Sequence, residues 1–222
     1  TDFELLTVAA ILIFETMELD VLFIEAGMGG RLDSTNIMKN SIAVIPSISI
    51  DHTNFLGDTI EKISWHKAGI LKANSQLVIG SLLEPAKKIM YKEAEEKNAT
   101  VIEYDKNFRV VKERYTYKEY SVANLNPQMI GEHQQSNMAL AITSLLISGF
   151  DLVESQVQLA VKNARLAGRM EKIRDNLYMD GAHNRASVEA LVETLKERFP
   201  DKQIHFIVGI LKDKEYSVML RK

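Results

Sequence analysis

The chain has 222 residues, of which 46% are hydrophobic and 26% are charged, and its formal net charge is −3 at pH 7. This composition excludes intrinsic disorder and collagen-like repetition, and it gives no reason to expect general affinity for nucleic acid or for an anionic membrane. The sequence contains no cysteine, which excludes disulfides, thiolate metal sites and cysteine nucleophiles and suits a cytoplasmic protein.

Apolar residues in the first half of the chain predict alternating helices and strands. Residues 3–17 have helical spacing, and their most apolar part, residues 5–14, is too short to cross a bilayer, so we expect a buried helix. Residues 20–24 resemble a buried parallel strand and lead into a glycine-rich turn. The pattern then predicts, in order, a strand at 41–50, a helix from about 58, a strand at 76–79, a helix at 84–97 and a strand at 100–104.

One helix start can be predicted more closely. Asp58 is expected to be the N-cap of the helix that follows it, because Glu61 stands three residues later and would complete a capping box.

The pattern changes after residue 104. Residues 108–125 form two alternating runs joined around 113–116, which predicts an antiparallel hairpin. Helical spacing returns at 133–148 and 154–166, and Ala167-Gly168 then interrupts it. We therefore divide the chain into residues 1–166, with a mainly parallel sheet, and residues 167–222. In the second part, a strand at 177–179, a helix at 185–199 and a strand at 204–208 begin a Rossmann-like α/β unit.

Three segments carry residues suited to chemistry. Glu25 follows the run at 20–24 and precedes three glycines, so it would lie at the sheet edge where open α/β folds bind ligands. Asp51 and His52 follow the strand at 41–50 and could serve a metal or a phosphate. Lys67 lies on the next helix, and a buried lysine with a lowered pKa can react with CO2 to give a carbamate, which offers oxygen ligands to Mg²⁺.

Each of these segments also has a simpler structural explanation. The glycines could form a plain βα turn, His52 could cap a loop, and Lys67 could interact with the helix macrodipole. Taken alone, the last two are better explained in this way, and the glycine turn is explained equally well by either.

The segments TDFELLT, GMGGRLDSTN, SISIDHTNFLG and HKAGILK are followed by GEHQQSNMALA, AGRMEKI, MDGAHN and VGILKDK. In this order they closely resemble folylpolyglutamate synthase and dihydrofolate synthase of the Mur ligase superfamily, and the matches run over nearly the whole chain. The resemblance implies an incomplete Mur ligase central domain with an incomplete Rossmann-like domain after it.

The resemblance also implies site residues. In that family the residues matching Glu25 and His52 bind Mg²⁺, and the lysine matching Lys67 is carbamylated. The histidine matching His183 lies in the cleft between the two domains, where ATP binds. The residues that would bind ATP match Asn137, Arg169 and Asp180. The residues that would contact the pterin-bearing substrate match Thr1, Phe3, Glu4, Leu32, Asp33 and Ser34. Alternatively, Asn137 could face solvent and Asp180 could be an N-cap for the helix after it.

The chain departs from the family pattern in three places. His66 stands where a glutamate is usual, which puts a possible cation beside Lys67, and Arg185 stands where a proline is usual, at the first turn of a helix. No G-x-x-x-x-G-K-[ST] phosphate-binding loop occurs. Because the sequence also opens without Met, inside a predicted helix, we expect a fragment that is inactive by itself.

The resemblance implies an ATP-dependent amide ligase that adds L-glutamate to folates, to dihydropteroate or to both, through an acyl phosphate. We expect ATP, Mg²⁺, glutamate and the folate substrate as its small-molecule ligands, and a cytoplasmic monomer. A muramyl-peptide ligase and a catalytically silent binding module that keeps the fold are the alternatives.

Overall fold

The computed structural model describes residues 1–211 and 216–221, in an α/β arrangement with one short 3₁₀ helix, Ser34–Ile37. The helices are α1 Asp2–Phe14, α2 Thr53–Leu56, α3 Ile60–Ala68, α4 Glu84–Glu96, α5 Glu132–Ile147, α6 Glu154–Asn163, α7 Arg185–Arg198 and α8 Tyr216–Met219. The strands are β1 Ile42–Ile45, β2 Gln76–Ile79, β3 Thr100–Glu103, β4 Phe108–Val111, β5 Arg114–Tyr117, β6 Tyr120–Val122, β7 Glu171–Arg174 and β8 Leu177–Met179.

A parallel sheet of three strands, in the order β1-β2-β3, forms the centre of the fold. Ile42 pairs with Gln76, and Gln76 with Thr100, so the three strands run in register. The central strand is buried on both faces, as expected of a parallel sheet covered by helices. The predicted α/β class and its mainly parallel sheet are therefore confirmed.

Two apolar cores lie on opposite faces of this sheet. Because successive side chains of a strand point to opposite faces, Leu77 and Ile79 pack into one core and Val78 into the other. The first core joins the sheet to α3 and α4, through residues such as Ile63 and Met90. The second core joins it to β4, β5, α5 and α6, and its largest members are Phe108, Tyr115, Leu125 and Leu140.

The predicted antiparallel hairpin is a three-stranded meander, β4-β5-β6. Its first turn lies at Lys112 and Glu113, which both have positive φ, so the predicted turn at 113–116 was placed too late and the second turn was missed. The meander is held to α5 by a hydrogen bond of 2.7 Å between the buried hydroxyls of Tyr115 and Thr143. Burial raises the pKa of the Tyr115 hydroxyl far above its usual range.

Two predicted strands are absent from the described residues. Residues 20–24 and 204–208 are mostly apolar but are not assigned as strands, because a parallel strand exists only where a neighbouring strand completes its hydrogen bonds. Phe23 is 74% exposed and Ile207 is fully exposed. Apolar composition therefore predicted strands that have no partner in the part of the chain that the structure describes.

The first helix also differs from its prediction. Helix α1 forms, but only Thr7 in it is buried, and Leu5 is 71% exposed. The apolar stretch is therefore not the buried helix that its composition predicted. None of the helices within residues 1–211 and 216–221 combines the length and apolarity needed to cross a bilayer.

The helix that begins near residue 58 starts one residue later than predicted. The N-cap is Thr59, whose hydroxyl accepts the backbone N–H of Lys62, and Glu61 completes no capping box. Asp58 instead accepts a hydrogen bond from the Lys62 ammonium at 2.8 Å.

The last part of the described chain is a small antiparallel hairpin followed by α7. Strand β8 was predicted, whereas β7 was not, because Glu171–Arg174 is mostly polar. Helix α7 is capped by Asn184 and not by Asp180, so the alternative role considered for Asp180 is wrong. The loop at 180–184, between β8 and α7, reaches the loop that follows β1, because Asn184 donates a hydrogen bond to Asp51.

Candidate functional site

The glycine-rich turn packs directly against the end of α3. The Arg31 N–H donates to the His66 carbonyl at 2.7 Å. A Cβ atom at Gly30, whose φ is 154°, would lie 2.5 Å from the Ile70 side chain, and one at Gly69 would lie 2.2 Å from the Arg31 side chain. Only glycine permits these approaches. They bring the segment that follows Glu25 beside the segment that carries Lys67.

A buried ion-pair network holds this turn in place. Arg31 donates to the Glu93 carboxylate of α4 at 2.5 Å and stacks over the Trp65 ring at 4.2 Å. Lys97 pairs with the other Glu93 oxygen at 2.8 Å. Burial by itself raises the pKa of Glu93, but the hydrogen bonds from Lys97 and Arg31 outweigh this and hold that pKa below its ordinary value. Glu93 therefore stays ionised and anchors the turn.

His52 has a backbone conformation that few non-glycine residues adopt. Its φ is 52° and its ψ is 38°, at the start of α2. Asp51 stabilises this conformation, because its Oδ1 accepts the His52 backbone N–H at 2.8 Å. Asp51 and His52 thus form a tight turn at the start of α2. Such backbone strain is often found at functional sites.

Asp51 is the residue on which the site converges. Its side chain is 16% exposed, and its Oδ2 accepts a hydrogen bond from Asn184 Nδ2 at 2.9 Å. The same oxygen lies 3.7 Å from His183 Nε2 and 4.0 Å from His52 Nε2. A carboxylate is therefore shared between the loop after β1 and the loop before α7.

Lys67 lies close enough to Asp51 to interact with it electrostatically. Desolvation lowers the pKa of the Lys67 ammonium, and attraction to Asp51 opposes this only in part. A lowered pKa increases the neutral fraction of the amine, which is the form that reacts with CO2. The two predicted catalytic histidines, His52 and His183, and Lys67 therefore all surround one carboxylate.

Glu25 differs from the other candidates. Its side chain is exposed, and no hydrogen bond or ion pair to it is found among the described residues. Within that part of the chain, no cluster of three or more His, Asp or Glu side chains is arranged to hold a metal. Mg²⁺ usually takes only one or two protein ligands, with phosphates and waters completing its shell. The Glu25 carboxylate is an oxygen donor of the kind that Mg²⁺ prefers, but no hydrogen bond or ion pair joins Glu25 to His52 among the described residues.

The predicted substrate residues form two neighbouring groups. The Thr7 hydroxyl of α1 lies 3.3 Å from that of Ser34, and the Phe3 ring packs on Gly27. α1 therefore lies beside the 3₁₀ helix.

Not every residue of these two groups is available to a ligand. Leu32 is available, because it is 80% exposed. Three of the other side chains are already engaged within the protein. Asp33 accepts hydrogen bonds from Thr35 and from the Met28 N–H, and Thr1 and Glu4 form the capping box of α1.

Two of the predicted nucleotide residues, Arg169 and Asp180, lie near the start of α5. The Asp180 carboxylate accepts the N–H groups of Met170 and Ala182, which holds it beside Arg169. Desolvation lowers the pKa of His133, and Asp180 and Arg169 act on it in opposite directions, so all three lie within electrostatic range. Asn137 lies one turn further along α5.

Two of the three departures from the family pattern, His66 and Arg185, are single residues whose contacts the structure shows. The His66 ring packs edge-on against Trp65 at 4.9 Å between centroids. Arg185 occupies the first position of α7 and pairs with Glu189 at 3.1 Å. A proline there would lack only an N–H that a first helical position leaves unbonded.

Sequence reasoning missed three residues of this region. Asp51 was noted beside His52 but was not chosen, and Asn184 and His133 were not considered. The signal was present for Asp51 and Asn184, since each neighbours a chosen histidine. Their pairing joins positions 133 residues apart, however, and no local pattern contains it.

Two protein families match the chain. The Mur ligase middle domain matches residues 3–145, and the Mur ligase glutamate ligase domain matches residues 168–221. The Asp51–Asn184 hydrogen bond connects the two matched regions.

Named relatives agree with these matches. The folylpolyglutamate synthase of Lacticaseibacillus casei is 32% identical over 99% of this chain and 54% of its own length. The dihydrofolate synthase/folylpolyglutamate synthase of Bacillus subtilis is 33% identical over 100% of this chain and 55% of its own. The chain therefore spans about half the length of the curated relatives that it matches.

Solved structures have the same fold. An FPGS–AMPPCP–folate complex superimposes with a TM-score of 0.94 at 31% identity, over 99% of this chain and 57% of that one. Escherichia coli FolC in complex with DHPP and ADP superimposes with a TM-score of 0.88 at 29% identity, over 100% of this chain and 54% of that one. The middle-domain match alone covers more than half of the residues, and the chain therefore belongs to the Mur ligase family.

Proposed function

We propose that this chain carries the central part of an ATP-dependent ligase that adds L-glutamate to folates, to dihydropteroate or to both. The observation that supports this most strongly is the convergence of His52, Lys67 and His183 around Asp51, in a chain that superimposes on a folate and AMPPCP complex. The substrate class follows from the relatives, whose names all specify folate chemistry. That agreement favours it over a muramyl-peptide ligase.

The nucleotide would bind between the two matched regions, whose boundary we place between residues 166 and 167. Arg169 offers a planar guanidinium that suits bidentate contact with phosphate oxygens. Asp180 is held beside it by two backbone N–H groups, and Asn137 offers an amide on the facing helix. ADP and AMPPCP in the solved relatives support ATP as the ligand.

Glu25 and His52 would hold Mg²⁺. The bound ion would neutralise negative charge on the phosphates while the substrate carboxylate attacks the γ-phosphate and ADP leaves. The glutamate amine then displaces phosphate from the acyl phosphate, and an amide bond forms. His183, whose Nε2 lies 3.7 Å from Asp51, would accept the proton that the amine loses.

Lys67 would be carbamylated. Its neutral amine would form a bond to the carbon of CO2 and release one proton, which gives an anionic carbamate with two oxygen atoms that can serve as ligands. The lowered pKa of Lys67 favours this reaction. Lys67→Ala should lose activity, and short carboxylic acids added to the assay should restore part of it. Absence of rescue would argue against the carbamate.

The folate substrate would lie along α1 and the 3₁₀ helix. Phe3 of α1 and Leu32 offer exposed apolar surface for an aromatic ring system, and the Ser34 hydroxyl lies 3.3 Å from that of Thr7 in α1. A monomeric state and a cytoplasmic location complete the proposal.

The experiment is an assay of the complete open reading frame that encodes this chain, with dihydropteroate and with tetrahydrofolate as alternative substrates. ADP release that requires both the pterin substrate and glutamate is the expected result. ADP release with a UDP-muramyl substrate alone would favour the muramyl-peptide ligase. A folded protein that binds AMPPCP but turns over neither substrate would favour the silent module.

A further inference from the structure

Asn184 makes two hydrogen bonds that serve different parts of the fold. Its Oδ1 accepts the Ser187 N–H at 2.9 Å and so caps α7. Its Nδ2 donates to Asp51 Oδ2, also at 2.9 Å. The capping hydrogen bond fixes the Asn184 side chain, so the amide N–H group points at Asp51 without a further loss of side-chain conformational entropy.

Asp51 likewise uses both of its oxygens. Oδ1 holds the left-handed backbone of His52, while Oδ2 accepts Asn184 and lies 3.7 Å from His183. The carboxylate is mostly shielded from water, which strengthens a hydrogen bond between an amide and a charged group. The conformation of His52 and the start of α7 are thus connected through one side chain.

A second contact supports the same placement of α7. Gly131, just before α5, has a φ of 114°, and a Cβ atom there would lie 2.7 Å from the Thr194 hydroxyl of α7. Helix α7 therefore lies close to Gly131 through Thr194, and its N-cap residue Asn184 is hydrogen-bonded to Asp51.

We infer that Asp51 is a positioning residue that ties the loop at 180–184 to the loop that carries His52. The tie sets the distance between His183 and the His52–Lys67 side of the site, and it is made by Asn184 while that residue also caps α7. As a role in ligation this rests on the proposed function, but the tie itself requires neither nucleotide nor turnover.

The test exchanges the two partners. Asn184→Asp keeps an N-cap residue of equal quality but places two carboxylates against each other. The double variant Asp51→Asn with Asn184→Asp restores an amide–carboxylate hydrogen bond with the donor on the opposite side. Arg185→Ala is the matched control, because Arg185 neighbours Asn184 and its guanidinium pairs with Glu189 on its own helix.

The measurement is amide hydrogen exchange of the complete chain without ligand. Asn184→Asp should speed exchange at Ala182 and His183 by about tenfold, and the double variant should return it to within about threefold of the original. Arg185→Ala should leave it unchanged.

Two results would overturn the tie: unchanged exchange in Asn184→Asp, or no recovery in the double variant. Circular dichroism melting curves check that every variant is folded. Because no substrate is used, a failed tie is distinguishable from a failed ligase assignment.

Discussion

The sheet region, residues 42–163, and the region that follows residue 167 are stabilised in different ways. Nearly all of the buried apolar side chains belong to the first region and form its two cores. After residue 167, the described residues contribute only Met170, Leu195 and Met219 to the buried apolar set. The second region is positioned instead by capping interactions, by the contact at Gly131 and by the Asn184–Asp51 hydrogen bond.

This difference has a functional consequence. Apolar burial is worth about 25 cal/mol per Å² and makes a rigid body, whereas a few hydrogen bonds can break and re-form at small cost. The rigid region carries His52 and Lys67, and the lightly anchored region carries Arg169, Asp180 and His183. The proposed ligase would have to admit ATP, the folate substrate and glutamate and then exclude water, and such a division of rigidity would suit that sequence of events.

The largest difference between the two regions is expected when the same substitution, isoleucine to alanine, is made in each of them. Ile79 is fully buried in the first core, so Ile79→Ala should lower the free energy of unfolding by about 3 kcal/mol. Ile207→Ala, at a fully exposed position, should change it by less than about 0.5 kcal/mol. Chemical denaturation measures both. Similar losses at the two positions would contradict the contrast between the regions.

The next largest effect concerns the site and not the core. His52→Ala in the complete protein should lower kcat by about 100-fold, because the imidazole that we propose as a Mg²⁺ ligand is lost. His52→Asn is the matched variant for the backbone, since asparagine tolerates the left-handed conformation. The two should lose kcat alike, with His52→Asn melting closer to the original. Loss of kcat only in proportion to stability would remove the metal role.

The Arg31–Glu93–Lys97 network should give a smaller effect that depends on pH. Glu93→Gln should lower the free energy of unfolding by about 2 kcal/mol at pH 7, since Arg31 and Lys97 lose a charged acceptor. Because the folded-state pKa of Glu93 is lowered, its contribution is complete above the ordinary glutamate range and disappears as the pH falls through the lowered value. Urea midpoints at several pH values should therefore converge for the two proteins in acid.

The smallest expected effect is at the start of α3. Thr59→Ala removes the N-cap and should lower the free energy of unfolding by about 1 kcal/mol. Asp58→Ala removes an exposed ion pair with Lys62, which water screens, and should have a smaller effect than Thr59→Ala. The reverse order in thermal melts would mean that Asp58 caps the helix, as the sequence pattern first indicated.

Elements buried on both sides were the most predictable. Strand β2 was predicted with its exact bounds and α4 to within one residue, because apolar runs and helical spacing record burial directly. Residues 20–24 and 204–208 show the limit of this signal. Their composition is that of a strand, but strands are defined by partners, which composition does not reveal.

By itself, the sequence determined the α/β class, most helices and the motifs that place the chain in its family, since these depend on local spacing and residue type. Tertiary structure alone decided that Asp51 faces Asn184, that Arg31 reaches Glu93 and that α1 is largely exposed. Each of these depends on contacts between distant segments, and the energy of such a contact is set by burial and geometry that arise only when the chain has folded.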